Sequence, residues 1–434
     1  MESRNTAIFD ACQCPASSSD EVRAVFVDAP SRVLGAAKGR LGIYTRTAST
    51  PVNTRVREDQ ESGSLGDTTV DLAALRRAAR AERWRLKWAA DRLRDGRQRA
   101  CHRVRQSKDK AVTIEVGTLP GDVKRAYYGG LVACGSVWGC PLCASKIANG
   151  RRVEVQAAMD AARRQGLRVL LLTLTVRHGL GDDVRDVLAR MRAAWRRYTG
   201  DRQAKAVRAA AGLVGTIRAL EVTYGDNGWH PHYHVLLFVR GDQTPEEMQQ
   251  AWAPVWCKIC VSCGLPEPVQ SVACTIQDGS RAAQYVSKWG LAEELALAHL
   301  KRARARAGRT PWDLLRAYAD GDAQAGRLWV EYAAAFKGQR QLYWSNGLRA
   351  LLGVGTGHSD QELADVVDHD SIVLASLSDM QWRAVVYTQS HCEILEMAET
   401  APDRLQMALD SMVKLLNDKY MQYQQDNGGR LPST

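Results

Sequence analysis

Two apolar runs folded around a tight turn constrain this chain more than any other stretch. In TIRALEVTYGDNGWHPHYHVLLFV, residues 216–239, the turn signal GDNG separates β-prone segments, which predicts an antiparallel hairpin. Alternate side chains of a strand share a face, so His230, His232 and His234 can point the same way. The hairpin also sets Glu221, on the outgoing strand, across from His232 and His234. Two imidazoles and one carboxylate can bind a divalent ion and leave coordination positions open, and paired histidines on one strand face are costly to bury without a shared partner. His230 precedes Pro231 at the strand entrance and ranks behind the other two.

The surroundings predict an α+β chain with a central, mainly antiparallel sheet and flanking helices. RVLLLTLTV, Arg168 to Val176, is a short apolar run and reads as a buried strand. VRDVLARMRAAWRRY after it has amphipathic helical spacing, and TPEEMQQAWAPVWCKIC reads as a helix with Thr244 as cap and Glu247 at the capping-box position. VQSVACTIQ follows as a β-like stretch, with a helix from about Ser280. From Thr310-Pro311 onward the chain reads as helical.

Composition sets the partner class. The net charge is +11, yet residues 360–434 hold 13 acidic against 5 basic side chains, so the first 359 residues carry +19. A polyanionic partner suits that body. Arg76 to Lys110 alone has 14 basic and 4 acidic residues, interleaved with Trp84 and Trp88; this reads as a basic helix with an aromatic stripe, and Arg83, Arg85 and Lys87 on it are phosphate-contact candidates. Lys337, Arg340 and Arg349, mixed with Tyr343 and Trp344, form a second candidate surface. The 11 cysteines are unevenly spaced, which suits metal ligands and buried thiols in a reducing compartment. With no long apolar span and no signal-peptide pattern at the start, the expected location is cytoplasmic, without membrane contact.

An open site of two histidines and a carboxylate alone would suit a hydrolase or a non-haem iron oxygenase, and its neighbours decide. SRAAQYVSKWG places Tyr285, Lys288 and Trp289 on one helix face. A tyrosine beside a divalent ion in a basic protein points to attack on a phosphodiester.

LLLTLTVRH, NGWHPHYHVLL and AAQYVSKWG occur in the order of the three motifs of the HUH endonucleases, and the chain most resembles the single-tyrosine, rolling-circle replication initiators of actinobacterial plasmids. The likeness runs from about Cys101 to Gly353. It implies the HUH fold, paired metal-binding histidines at His232 and His234, a nucleophile at Tyr285 and the motif lysine at Lys288. It further implies Mg2+ or Mn2+ as catalytic ion and a 5′-phosphotyrosine intermediate that frees a 3′-hydroxyl. Trp289 stands where two-tyrosine initiators carry a second tyrosine, so one nucleophile is expected. The glutamate that single-tyrosine initiators place a few residues earlier is replaced here by Arg281 or Ala282, which leaves Asp278, Glu293 and Glu294 as weak candidates for the terminating base.

Cys134, Cys140 and Cys143 in ACGSVWGCPLC, with Cys101 upstream, suit a closed four-thiolate structural Zn2+ site; His102 is an alternative to Cys101. Cys257, Cys260 and Cys263 read as buried thiols on one helix face, with a second metal as the lesser reading. The expected organisation is a disordered extension over 1–66, a basic helix and zinc element over 67–160, a nicking domain over 161–300, a basic and aromatic helical DNA-binding extension over 301–358 and an acidic helical tail over 359–434. The expected partners are plasmid origin DNA, single-stranded or as a hairpin, and a host helicase and polymerase, because no GxxxxGK[ST] phosphate loop is present; a homo-oligomer is compatible with this. An HUH transposase or relaxase shares the chemistry, although relaxases usually place the tyrosine before the histidines. A zinc-stabilised DNA-binding regulator without catalysis is the alternative of another class.

Overall fold

Tryptophans four apart and a run of helix-forming residues build α1 (Leu72–Leu93), the first element in the computed structural model, which describes residues 72–94, 96–119, 123–278, 308–365 and 371–426. The 1–66 extension and the segment carrying Tyr285 and Lys288 lie outside the described residues. Trp84, Leu86 and Ala89 of α1 are buried. So is Lys87, at 1% exposure, with its ammonium paired to Asp91 one turn on and donating to the Gln98 carbonyl at 3.2 Å.

Two strands follow where the sequence alone predicts only a helix and a cysteine element. β1 (Val112–Leu119) and β2 (Val123–Gly129) pair antiparallel, from Thr113 opposite Gly129 to Leu119 opposite Val123. α2 (Pro141–Arg164) starts with proline in its first turn, where the missing N–H costs nothing. It runs across position 160, so the expected boundary between zinc element and nicking domain falls inside one helix. β3 (Arg168–Thr175) is the foreseen buried strand. α3 (Val184–Gly200) and α4 (Arg202–Ala210) are capped by Asp183 and Asp201, whose carboxylates accept from Arg185 and Ala204 amides.

β4 (Leu213–Gly225) and β5 (Gly228–Val239) form the hairpin, pairing Gly225 with Gly228 across Asp226 and Asn227. Gly228 sits at φ 82°, a left-handed conformation that glycine adopts without strain. α5 (Pro245–Ser262) has the full Thr244–Glu247 capping box. Only the second half of VQSVACTIQ is a strand, β6 (Cys274–Asp278); Gln270 to Ala273 make one helical turn before it.

α6 (Pro311–Ala319) and α7 (Ala323–Ala335) meet the helical expectation after Thr310. β7 (Leu342–Trp344) and α8 (Leu348–Leu352) then return to the main sheet. That sheet has the order β6-β3-β5-β4-β7, every pair antiparallel. One face packs on α2 through Val155, Met159, Leu171, Ile217, Leu236 and Phe238. Against the other lie α3 and α5, with Trp195 at 5.6 Å from the Tyr233 ring and the Trp256 indole donating to the Thr175 carbonyl at 3.0 Å.

The acidic region is not wholly helical. β8 (Ile372–Leu377) pairs antiparallel with β1, giving a second sheet β2-β1-β8. α9 (Asp379–Thr388), α10 (His391–Thr400) and α11 (Leu405–Asp426) complete the chain as described. No helix among the described residues is long and apolar enough to cross a membrane.

His391 seals the contact between α10 and α1. Its fully buried ring lies 4.2 Å from the Trp84 ring and 5.3 Å from that of Trp382, and the Tyr128 hydroxyl donates to its carbonyl at 3.1 Å. Burial, reinforced by the positive charges of Lys87 and Arg103, holds this imidazole neutral well below the ordinary 6.5. The unfolded chain takes up that proton below about pH 6.5 and the folded chain does not, so stability is full above that pH and is lost as pH falls. The expected slope from this group is about 1.4 kcal/mol per pH unit. Urea unfolding of His391→Leu should show a shallower acid loss than the wild type; identical slopes would contradict the assignment.

Candidate metal centre and nucleic-acid surfaces

Register places the triad on one face. Glu221 is opposite His232 across the β4–β5 pair, while β3 sets Thr175 opposite His232 and Thr173 opposite His234. The Nε2 atoms of His232 and His234 lie 3.5 and 3.6 Å from Glu221 Oε2. Two donors each about 2.0–2.2 Å from a common ion stand roughly 3–3.6 Å apart, so this spacing accommodates one divalent cation. The three ligand atoms lie within 4.8 Å of one another, with His234 buried and the other two half-buried.

The far side of each ring is held as a ligating imidazole requires. His232 Nδ1–H donates to the His230 carbonyl at 3.2 Å, which leaves the Nε2 lone pair facing Glu221. His234 Nδ1 is 3.0 Å from the Thr173 hydroxyl, which can accept from the tautomer that frees Nε2. Burial works against the charged ring, but in that form Nε2–H donates to Glu221, and this hydrogen bond with the carboxylate's negative charge outweighs burial and raises the His232 pKa. The cleft therefore favours positive charge.

His230 turns elsewhere. Its Nδ1 is 2.6 Å from His178 Nε2, and His178 Nδ1 is 3.0 Å from the Asn227 carbonyl. Burial and the neighbouring imidazoles push the His230 pKa down to about 4. Sequence reasoning missed His178 although it ends the quoted stretch LLLTLTVRH; its partner is 52 residues away, and only the fold reveals the pairing.

The four cysteines converge. Cys101 Sγ is 3.4 Å from Cys143 Sγ and 3.7 Å from Cys140 Sγ, and Cys134 Sγ is 3.7 Å from Cys143 Sγ. Four sulfurs about 2.3 Å from a tetrahedral ion are about 3.8 Å apart, so the donor set and spacing suit zinc. The Cys134 amide donates to Cys101 Sγ at 3.3 Å. Cys140 occupies the N-cap position of α2 and Cys143 lies in its first turn, where the helix dipole favours thiolate. Hydrogen bonding with Cys101 lowers the Cys143 pKa, while the surrounding thiols raise that of Cys101. His102 is half-buried outside this sulfur cluster, edge-on to Trp84, its pKa pushed down to about 3 by burial. Cys257, Cys260 and Cys263 join no metal-ligating cluster among the described residues.

The family model for "Replication protein" (Rep_1) matches residues 132–349, half of the chain. The chain belongs to this Rep family. It is similar to a Streptomyces lividans "Protein rep", 29% identical over 345 residues that cover 62% of this chain and 76% of the relative. It is also similar to a Streptomyces cyanogenus "Neomycin resistance protein", 34% identical over 137 residues (26% of this chain, 31% of the relative). A Lentilactobacillus hilgardii "Protein rep" is 31% identical over 125 residues, 27% of this chain and 38% of the relative. No solved structure matches the chain. The Rep match agrees with the resemblance carried by the three motifs, and its span includes the triad, Tyr285, Lys288 and three of the four cysteines, but not Cys101.

The candidate DNA-contact residues of this Rep protein divide by environment. Lys87 is in the core, in its ion pair with Asp91, and from there it offers no charge to a phosphate; this corrects its reading as a surface contact. Arg85 is tied to Glu82 and Asp320, and Arg83 is half-buried with its pKa pushed down to about 10 by burial. Arg349 stacks 3.8 Å from the Trp344 ring and pairs with Glu154 at 2.7 Å. Lys337 and Arg340 are exposed, with Arg340 5.8 Å from the Tyr343 ring.

Proposed function

We propose that this Rep protein starts rolling-circle replication of a plasmid by nicking its origin and later rejoining the strand. The observation that carries this reading is the meeting of Glu221, His232 and His234 on one sheet face of a Rep-family chain. Tyr285 follows the end of β6 at Asp278 by seven residues and lies outside the described residues. Tyr285 is the proposed nucleophile: its oxygen forms a bond to phosphorus as the P–O3′ bond breaks, the 5′ end stays on the enzyme, and the freed 3′-oxygen takes a proton and primes synthesis. Rejoining runs the same exchange in reverse. Lys288, at the motif's lysine position, is assigned to the same centre.

Glu221, His232 and His234 would hold Mg2+ or Mn2+, which when bound supplies polarisation of the scissile phosphate. Thr173 and the His230 carbonyl orient the two imidazoles. Cys101, Cys134, Cys140 and Cys143 would hold a structural Zn2+. The divisions given above, a zinc element, a nicking region, a basic extension and an acidic tail, are the proposed functional parts. Origin DNA is the substrate, with a host helicase and polymerase as partners.

The direct test incubates the full chain and Mn2+ with a single-stranded origin oligonucleotide and looks for a covalent protein–DNA adduct; its absence with the cognate origin counts against the reading. Thr173→Val should weaken Mn2+ binding about 10- to 100-fold by releasing the His234 ring, and His234→Ala should remove it. An unchanged titration curve in either variant would take that residue out of the site.

A further inference from the structure

The triad uses one face of the main sheet, and the other face carries a cavity of about 860 Å³, large enough for a small ligand. Strand alternation separates the two. Glu221, His232 and Thr173 face the triad, whereas Leu172, Thr216, Arg218 and Leu237, at positions of opposite phase on the same strands, line this cavity. α3, α4 and the turn after β7 supply its walls.

Its chemistry is one-sided. Arg192, Arg196, Arg208 and Arg218 line it, and no aspartate or glutamate does. None of the four makes an ion pair among the described residues. Arg192 donates to the Gln339 side chain at 3.0 Å, and Arg208 donates to the carbonyls of Ala204 and Thr199 at 3.0 and 2.8 Å. Elsewhere Arg85, Arg316 and Arg349 are all neutralised by carboxylates. Among the described residues the Arg218 guanidinium is held by rings, 4.8 Å from Trp195, 4.5 Å from Tyr233 and 5.5 Å from Tyr343. Such stacking fixes a planar donor fork before a ligand arrives. Two further polar groups of the lining residues, the Tyr198 hydroxyl and the Trp252 indole N–H, are buried without a hydrogen-bond partner among the described residues.

We propose that this cavity binds a nucleoside phosphate, with its phosphate on the arginines and its base against the exposed parts of the Trp195 and Tyr343 rings. Uncompensated guanidinium groups select an anion, and flat aromatic walls select one that carries a ring. An acidic peptide would supply the charge and leave the rings unused. The same chemistry is presented by a free nucleotide and by one unit of a DNA strand. The inference does not depend on the metal centre.

The test is equilibrium binding to the full chain in EDTA, with a deoxynucleoside triphosphate, a short oligothymidylate and inorganic phosphate as separate probes. A nucleotide probe should bind, and Arg218→Met, which keeps the packing between the rings, should weaken it about tenfold or more, as the loss of a charge-assisted contact does. Arg196→Gln, at an exposed position that the fold does not need, should weaken it in the same direction. His232→Ala should leave it unchanged, so failure of the nicking reading and failure of this one are separable. Binding of the free nucleotide, with displacement by the oligomer, assigns the free source; binding of the oligomer alone assigns the strand. Equal affinity in the wild type and both arginine variants, or phosphate bound as tightly as either nucleotide probe, would overturn the proposal.

Discussion

Replacing Tyr285 with phenylalanine should abolish nicking and the covalent adduct, a loss of at least about 10⁴-fold, while origin binding stays within about twofold of the wild type. The variant lacks a single oxygen, the atom proposed to attack phosphorus, so no other group in the chain is asked to change. A phenol with a pKa near 10 is mostly protonated at neutral pH, and a divalent ion held by Glu221, His232 and His234 would assist its ionised form. Adduct yield on a labelled origin strand and filter binding of the same strand separate the two effects. Persistent adduct in the variant would place the nucleophile elsewhere in the chain. A parallel loss of binding and cleavage would instead make Tyr285 a packing or contact residue.

The parts of this fold that could be read in the sequence are those whose signals are local. The β4–β5 hairpin announces itself by alternation around GDNG, and Thr244 with Glu247 marks the start of α5 three residues apart. Glu221, His232 and His234 follow from the hairpin because cross-strand register is set by the turn. β1 and β2 carry a comparable signal, VTIEV and VKRAYYG on either side of Leu119-Pro120-Gly121-Asp122, but they follow directly on a strongly basic run that reads as a helix. β8 is a different case: IVLASL is short, stands in an acidic helical context, and acquires a strand's hydrogen bonds only from β1, far away in sequence.

The same distinction separates the charged residues. Lys87 counted as one more cation in a basic run, yet Asp91 one turn later was the local sign that its charge is spent inside the protein. The Arg218 cluster has no local sign at all. Trp195, Tyr233 and Tyr343 come from three elements and meet because β5 and β7 pair on either side of β4 while α3 lies across them. His178 and His230 likewise are brought together by the turn after β3 approaching the hairpin end. Sites made by one hairpin can be found by periodicity; sites made by packing cannot.

Serine in place of Cys140 or Cys143 should release the zinc proposed for this site and destabilise the N-terminal part of the molecule. Structural zinc supplies roughly 10–16 kcal/mol of apparent binding energy in small zinc-dependent peptides, and an incomplete thiolate set forfeits much of it. Cys140 and Cys143 stand at the start of α2, and the same helix continues to Val155 and Met159 in the core of the main sheet. Loss of the ion should therefore loosen the α2 start and lower the melting temperature, with the triad affected only through the helix. Nicking should fall less than in Tyr285→Phe and recover as temperature is reduced. Cys263→Ser is the control, because that thiol joins no metal-ligating cluster among the described residues and its loss should leave the zinc content intact. Metal analysis of the purified proteins together with thermal melts reads both effects. Wild-type protein purified without zinc, or Cys143→Ser retaining the full complement, would remove the four-thiolate site from this account, and the close approach of the sulfurs would then be packing alone.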